Sequence, residues 1–154
     1  MTEPRWLDGT EARVWRAYLE TQRDLLMTLS RQLTRDSGLS GADYELLVPI
    51  SEAPDGLIRA RDLALAVNWE RSRLSHQITR MEKRGLVARE ECPEDARGAM
   101  VRLTEQGRAA MRAAAPGHVA AVRQYFLDVL SPQEIEMLDA ALRRVAAGLP
   151  KDQD

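Results

Sequence analysis

Apolar positions between residues 11 and 36 recur at helical spacing (Val14, Tyr18, Leu25, Leu29, Leu33), and neither Gly nor Pro interrupts them. That pattern predicts one long helix ended by Gly38. Ser40 then offers an N-cap, with Asp43 three residues on as an imperfect capping box. A second helix, Gly41–Glu52, would bury Leu46, Leu47 and Ile50, and Pro49 inside it predicts a kink or an early end. Pro54-Asp55-Gly56 marks a turn.

Shorter elements follow. Leu57–Arg59 is a strand candidate, 61–66 a short helix, and Val67-Asn68-Trp69 a tight connection. Over 70–84, Leu74, Ile78 and Met81 are spaced four and three apart, which predicts a helix with a single buried stripe. Gly85 ends it. Two extended runs, 86–91 and 100–103, flank the polar stretch 92–99 and predict a hairpin with a long tip. Thr104 caps another long helix carrying Met111, Val119, Val122, Phe126 and Val129, which Pro116-Gly117 should bend or break. Ser131-Pro132-Gln133-Glu134 combines a capping serine, Pro at the first helical position and Glu at the third. The helix it starts should bury Ile135, Leu138, Leu142 and Val145, and 151–154 should be a frayed tail.

Outward of the 70–84 stripe lie Ser72, Arg73, Ser75, His76, Thr79 and Arg80. Arginine can bond guanine bidentately, and hydroxyl side chains read or position other base edges. A short helix, a tight turn, a second helix and a hairpin form the layout of a winged helix-turn-helix. The fold class expected is therefore mainly α, a winged helix-turn-helix with a two-stranded wing, flanked by long N- and C-terminal helices.

Charge sharpens this picture. The 154-residue chain carries 22 Lys+Arg against 24 Asp+Glu, a net charge of −2. That excludes a uniformly basic nucleic-acid binder. Yet residues 59–112 hold 12 basic against 8 acidic residues, a net of +4, leaving −6 for the rest. A basic middle in an acidic frame is the footprint expected for a local polyanion site.

Other chemistry is sparse. No phosphate loop, dinucleotide fingerprint or nucleophile motif occurs, so no enzymatic role and no cofactor are expected. His76, His118 and Cys92 are too few and too scattered for a metal site, and one cysteine excludes an intramolecular disulfide. His118 is expected at the surface or in an interface. No run of about 18 uncharged apolar residues is present, so no membrane span is expected. Glu3, Arg5 and Asp8 occupy the place where an export signal needs an apolar core. A cytoplasmic protein is expected, associated with the nucleoid when bound to DNA.

Three stretches resemble the MarR (multiple antibiotic resistance regulator) family of bacterial transcription factors. They are Arg61-Asp62-Leu63-Ala64 with the run from Arg71 to Val87; Pro93-Glu94-Asp95-Ala96-Arg97, which is similar to the family's Asp-x-Arg wing signature; and Val101 to Gly107. The resemblance implies a homodimeric, ligand-responsive repressor that binds a pseudo-palindromic double-stranded operator. Ser72, Arg73, Ser75, His76, Thr79 and Arg80 would face the major groove. Arg97 would enter the minor groove or grip its phosphates, held by a charge-assisted bond from Asp95. Gln77 lies nearer the buried edge. Residues 38–113 would form the DNA-binding lobe, 5–36 and 114–147 the dimerisation region, and 148–154 a flexible tail. Trp15, Tyr18 and Tyr44 could line a cavity for a small aromatic or anionic ligand. Some relatives sense peroxide through a cysteine in the first helix; Cys92 precedes Pro93 at the wing and does not match that position. The main alternative is a winged helix used for protein contact without DNA.

Overall fold

The computed structural model describes residues 3–150; the expected frayed tail, 151–154, lies outside them. The elements are α1 (Gly9–Ser37), α2 (Gly41–Glu52), β1 (Leu57–Arg59), α3 (Ala60–Val67), α4 (Arg71–Lys83), β2 (Val87–Cys92), β3 (Asp95–Leu103), α5 (Glu105–Val122) and α6 (Pro132–Gly148). The chain divides into two compact units, one up to His118 and one from Val119 onward.

In the first unit, capping chemistry sets the helix limits. Asp8 caps α1, and Gly38 ends it in the left-handed region at φ 72°. The box at α2 is complete, not imperfect: the Ser40 hydroxyl takes the Asp43 N–H at 3.0 Å and the Asp43 carboxylate takes the Ser40 N–H at 2.8 Å. Pro49 does not end α2, which runs on to Glu52. The missing N–H forfeits one backbone bond near the helix end, and packing of the fully buried Leu46, Leu47 and Ile50 holds the remainder. Asn68 turns the chain between α3 and α4 at φ 52°, a conformation that asparagine tolerates better than most side chains.

The core joins α1, α2, α3, α4 and the sheet through Leu33, Leu46, Leu63, Leu74, Ile78, Met81, Val87 and Val101. Leu74, Ile78 and Met81 are at most 3 % exposed, as their spacing predicts. The sheet is antiparallel in the order β1-β3-β2, so the short strand joins the wing's two. The wing differs from expectation. Its strands reach Cys92 and start again at Asp95, so the tip is Pro93-Glu94 and not an eight-residue loop. A ladder of backbone hydrogen bonds needs no apolar side chains, so polar composition does not mark where a solvated ribbon ends. Register jumps between Glu91↔Ala99 and Cys92↔Asp95, which leaves residues 96–98 as a bulge.

Gly107 fixes the junction after the wing: a Cβ there would overlap the Leu86 carbonyl, so the first turn of α5 lies directly on backbone. Pro116-Gly117 leaves α5 unbroken, and the irregularity falls later, as a π-helical turn over Arg123–Leu127.

The second unit holds that turn and α6. Ser131 and Glu134 form the expected capping box. The expected burial of Ile135, Leu138, Leu142 and Val145 is not found: α6 has no buried residue, and Leu142 and Val145 are 49 % and 63 % exposed. The stripe exists, but its side chains are exposed or, at Leu138, half-buried. No helix among the described residues is long and apolar enough to cross a membrane.

Candidate nucleic-acid interface

The buried stripe of α4 fixes which way the rest of the helix points. Ser72, Arg73, Ser75, His76 and Arg80 are exposed, while Thr79 is half-buried. Each edge of this face is tied to the scaffold by side chains.

On the wing edge, Arg89 of β2 is the tie. Its guanidinium donates to the Ser75 carbonyl at 2.9 Å, the Thr79 hydroxyl at 3.0 Å and the Glu82 carboxylate at 3.0 Å. The Arg89 backbone N–H also donates to Glu82, at 2.8 Å. That N–H, with the guanidinium in support, holds the Glu82 carboxyl below the usual glutamate range. Thr79 in turn donates to the Ser75 carbonyl. Its hydroxyl is therefore engaged in holding helix to wing, which distinguishes it from the exposed residues grouped with it on spacing. Sequence reasoning missed Arg89. The available signal was Glu82 and Arg89 on either side of the Gly85 turn, close enough to meet as the chain reverses.

On the α2 edge, Arg73 stacks over Trp69 with its guanidinium carbon 3.6 Å from the ring centroid. Arg80 donates to Gln77 Oε1 at 2.5 Å. Gln77 is buried and donates to Asp43 at 2.7 Å.

Between α4 and the wing lies a cleft of about 430 Å³ whose lining includes Arg59, Arg61, Arg71, Arg89 and Arg97, with Asp95 its one carboxylate. Arg59 is paired with Glu94 at 2.5 Å and Arg89 with Glu82. Arg71 and Arg97 have no ion-pair partner among the described residues, which leaves their charge for an external anion. Farther down the wing, Arg102 pairs with Glu90 and holds that carboxyl below its usual range.

Asp95 does not grip Arg97 as expected. It accepts the Arg97 backbone N–H at 2.9 Å, a turn-type bond that shapes the bulge and leaves the exposed guanidinium unheld. Cys92, 6 % exposed, lines the floor of the same cleft.

The candidate ligand residues fall into two places. Trp15 and Tyr18 stack on each other at 5.8 Å on an exposed stretch of α1. Tyr44 lies against His118 with ring centroids 4.6 Å apart. His118 is half-buried; its Nδ1 has no partner, and burial lowers its pKa. No cluster of His, Cys, Asp and Glu able to hold a metal occurs among the described residues.

A protruding helix with a polar, arginine-bearing face beside a basic wing cleft is the arrangement by which winged helices engage duplex DNA. Comparisons with known proteins agree. Residues 37–98 match the model of the MarR family. The fold superposes on Sco3205 of Streptomyces coelicolor, a MarR family regulator solved in complex with DNA, with a TM-score of 0.92, 45 % identity and coverage of 100 % of this chain and 97 % of that one. AbsC of the same organism gives a TM-score of 0.87 and 46 % identity over 94 % and 97 % of the two chains. The transcriptional regulator HosA of Escherichia coli is 33 % identical over 107 residues, 70 % of this chain and 77 % of its own length. With its wing motif, its helix order and these likenesses in agreement, the chain belongs to the MarR family of transcriptional regulators.

Proposed function

We propose that the protein is a homodimeric, sequence-specific regulator that binds a pseudo-palindromic operator and acts as a ligand-responsive repressor. α4 enters the major groove, presenting Ser72, Arg73, Ser75, His76 and Arg80. The wing, 92–99, lies at the minor groove with Arg97. Thr79 supports Ser75 from beneath. The observation that carries this reading is the pairing of an α4 face with no core role and a cleft with two uncommitted arginines. Residues 38–113 are the DNA-binding lobe, and the dimer forms through 5–36 and 114–147. Exposed apolar side chains on α1 (Val14, Trp15, Leu19) and on α6 (Met137, Leu142, Val145) support the second assignment. Two-fold symmetry would set recognition helices about 34–36 Å apart, one turn of DNA.

The role is binding, not catalysis, and its setting is the cytoplasm, where the chromosome lies. An effector acts by favouring one helix separation over another. The half-buried Tyr44–His118 pair, with unpartnered His118 Nδ1 and buried Gln32 Oε1, supports a polar aromatic effector in the first unit.

Fluorescence anisotropy against duplex DNA from upstream of the protein's own gene, beside scrambled duplex, tests the reading. Tight binding to the first with a wide margin over the second is expected. The slope of log K against log salt should be roughly −5 to −9 if three to five phosphates are met per subunit. Absence of binding to either duplex at low salt would overturn it in favour of a protein-contact role.

A further inference from the structure

Arg80 is held by a buried relay. Its Nε and one terminal nitrogen donate to Gln77 Oε1 at 3.2 and 2.5 Å. Gln77, only 4 % exposed, donates through Nε2 to Asp43 Oδ1 at 2.7 Å. Asp43 is 1 % exposed, and its other oxygen takes the Arg84 guanidinium at 2.6 Å and the Ser40 N–H at 2.8 Å. Arg84 also donates to the Gly38 carbonyl, so the relay is anchored where α1 meets α2.

Donor and acceptor chemistry gives this chain a direction. A carboxylate only accepts, whereas an amide has a donating end and an accepting end. Asp43 admits Gln77 by its nitrogen alone. The amide oxygen is thereby turned toward the exposed edge of α4, where a guanidinium satisfies it. Of the five N–H groups of Arg80, those on the Nε side are engaged, and the remaining ones are left for an external acceptor.

We propose that Gln77 is a specificity-determining positioning residue: it touches no DNA, but it orients the Arg80 guanidinium before contact, with Asp43 setting the direction of the amide. This rests on the DNA-reading role of α4 proposed above. A long side chain already confined in the free protein loses less rotamer freedom on binding and tolerates fewer alternative partners.

The test begins by selecting duplexes from a randomised library with the wild-type protein. Wild type, Gln77→Met, Arg80→Ala and the double variant are then titrated against the selected duplex and its single-base-pair substitutions. Arg80→Ala should erase the preference at one base pair per half-site. Gln77→Met should weaken that same preference about tenfold and spare the others. The double variant should match Arg80→Ala, because Gln77 acts only through Arg80. In the free protein, the Arg80 Nε–H NMR signal should exchange slowly with water in wild type and fast in Gln77→Met. If Gln77→Met does not melt like wild type, Asp43→Asn, which frees the amide to turn, should produce the same loss at the same base pair. An unchanged preference in Gln77→Met, or an equal loss at every position, would overturn the proposal while leaving DNA reading intact. A wild-type protein that selects no sequence at all would overturn both.

Discussion

α4 and α6 carry apolar stripes of the same helical period, and the stripes meet opposite fates. In α4, Leu74, Ile78 and Met81 are sealed in the core. In α6, Ile135, Leu142 and Val145 stand 39 to 63 % exposed. Periodicity states that a face is apolar; it does not say which surface covers it. The helix whose stripe is buried within the chain is free to present its polar face to DNA. The helix whose stripe is open has its apolar face available to a second copy of the chain.

The sharpest contrast comes from truncating each stripe. Met81→Ala should cost about 2–5 kcal/mol of folding stability. In thermal melts, that loss should be the same at every protein concentration. Leu142→Ala should instead lower the melting temperature in a concentration-dependent way. Equal, concentration-independent losses would place α6 in its own chain's core and break the comparison.

Charging the open stripe comes next. Leu142→Glu with Val145→Glu should leave a folded monomer by sedimentation and weaken operator binding at least about a hundredfold, because the second half-site contact is no longer tethered. A dimer that survives both changes would put the interface elsewhere.

Smaller effects belong to the wing. Arg97→Ala should cost about 1–3 kcal/mol of DNA affinity, spread evenly over sequences, and should reduce the salt slope. Arg73→Ala should act at particular base pairs instead. Titrations against specific and scrambled duplexes distinguish the two patterns.

The smallest effect concerns pH. Burial lowers the pKa of His118 below its ordinary 6.5. The unfolded chain therefore takes up a proton before the folded one does, so stability is full above 6.5 and declines as pH falls below it. Melting temperatures between pH 7.5 and 5.5 should show this decline in wild type and a flatter profile in His118→Phe. Glu82, with its carboxyl held low by Arg89, should remain ionised across that range and contribute no slope.

Local chemistry settled much of this protein in advance. Helix limits at Gly38, Gly85 and Ser131 depend on residues within one turn of themselves, so the linear sequence contains them. The outward face of α4 follows from three apolar positions. What the sequence left open is what depends on distant partners. Asp43 reads as an ordinary capping residue until the fold brings Gln77 and Arg84 to it from 34 and 41 positions away. Arg89 reads as one more wing charge until β2 lies along α4. The Asp95–Arg97 contact is a backbone turn beside a register shift in the wing, which side-chain spacing cannot encode. The second helix runs past Pro49 because burial outweighs one lost hydrogen bond, and the apolar period of α6 does not reveal that none of its residues is buried. Short-range capping and periodicity are properties of neighbours in sequence. Pairing, register and the covering of apolar faces are decided only when distant segments meet in space.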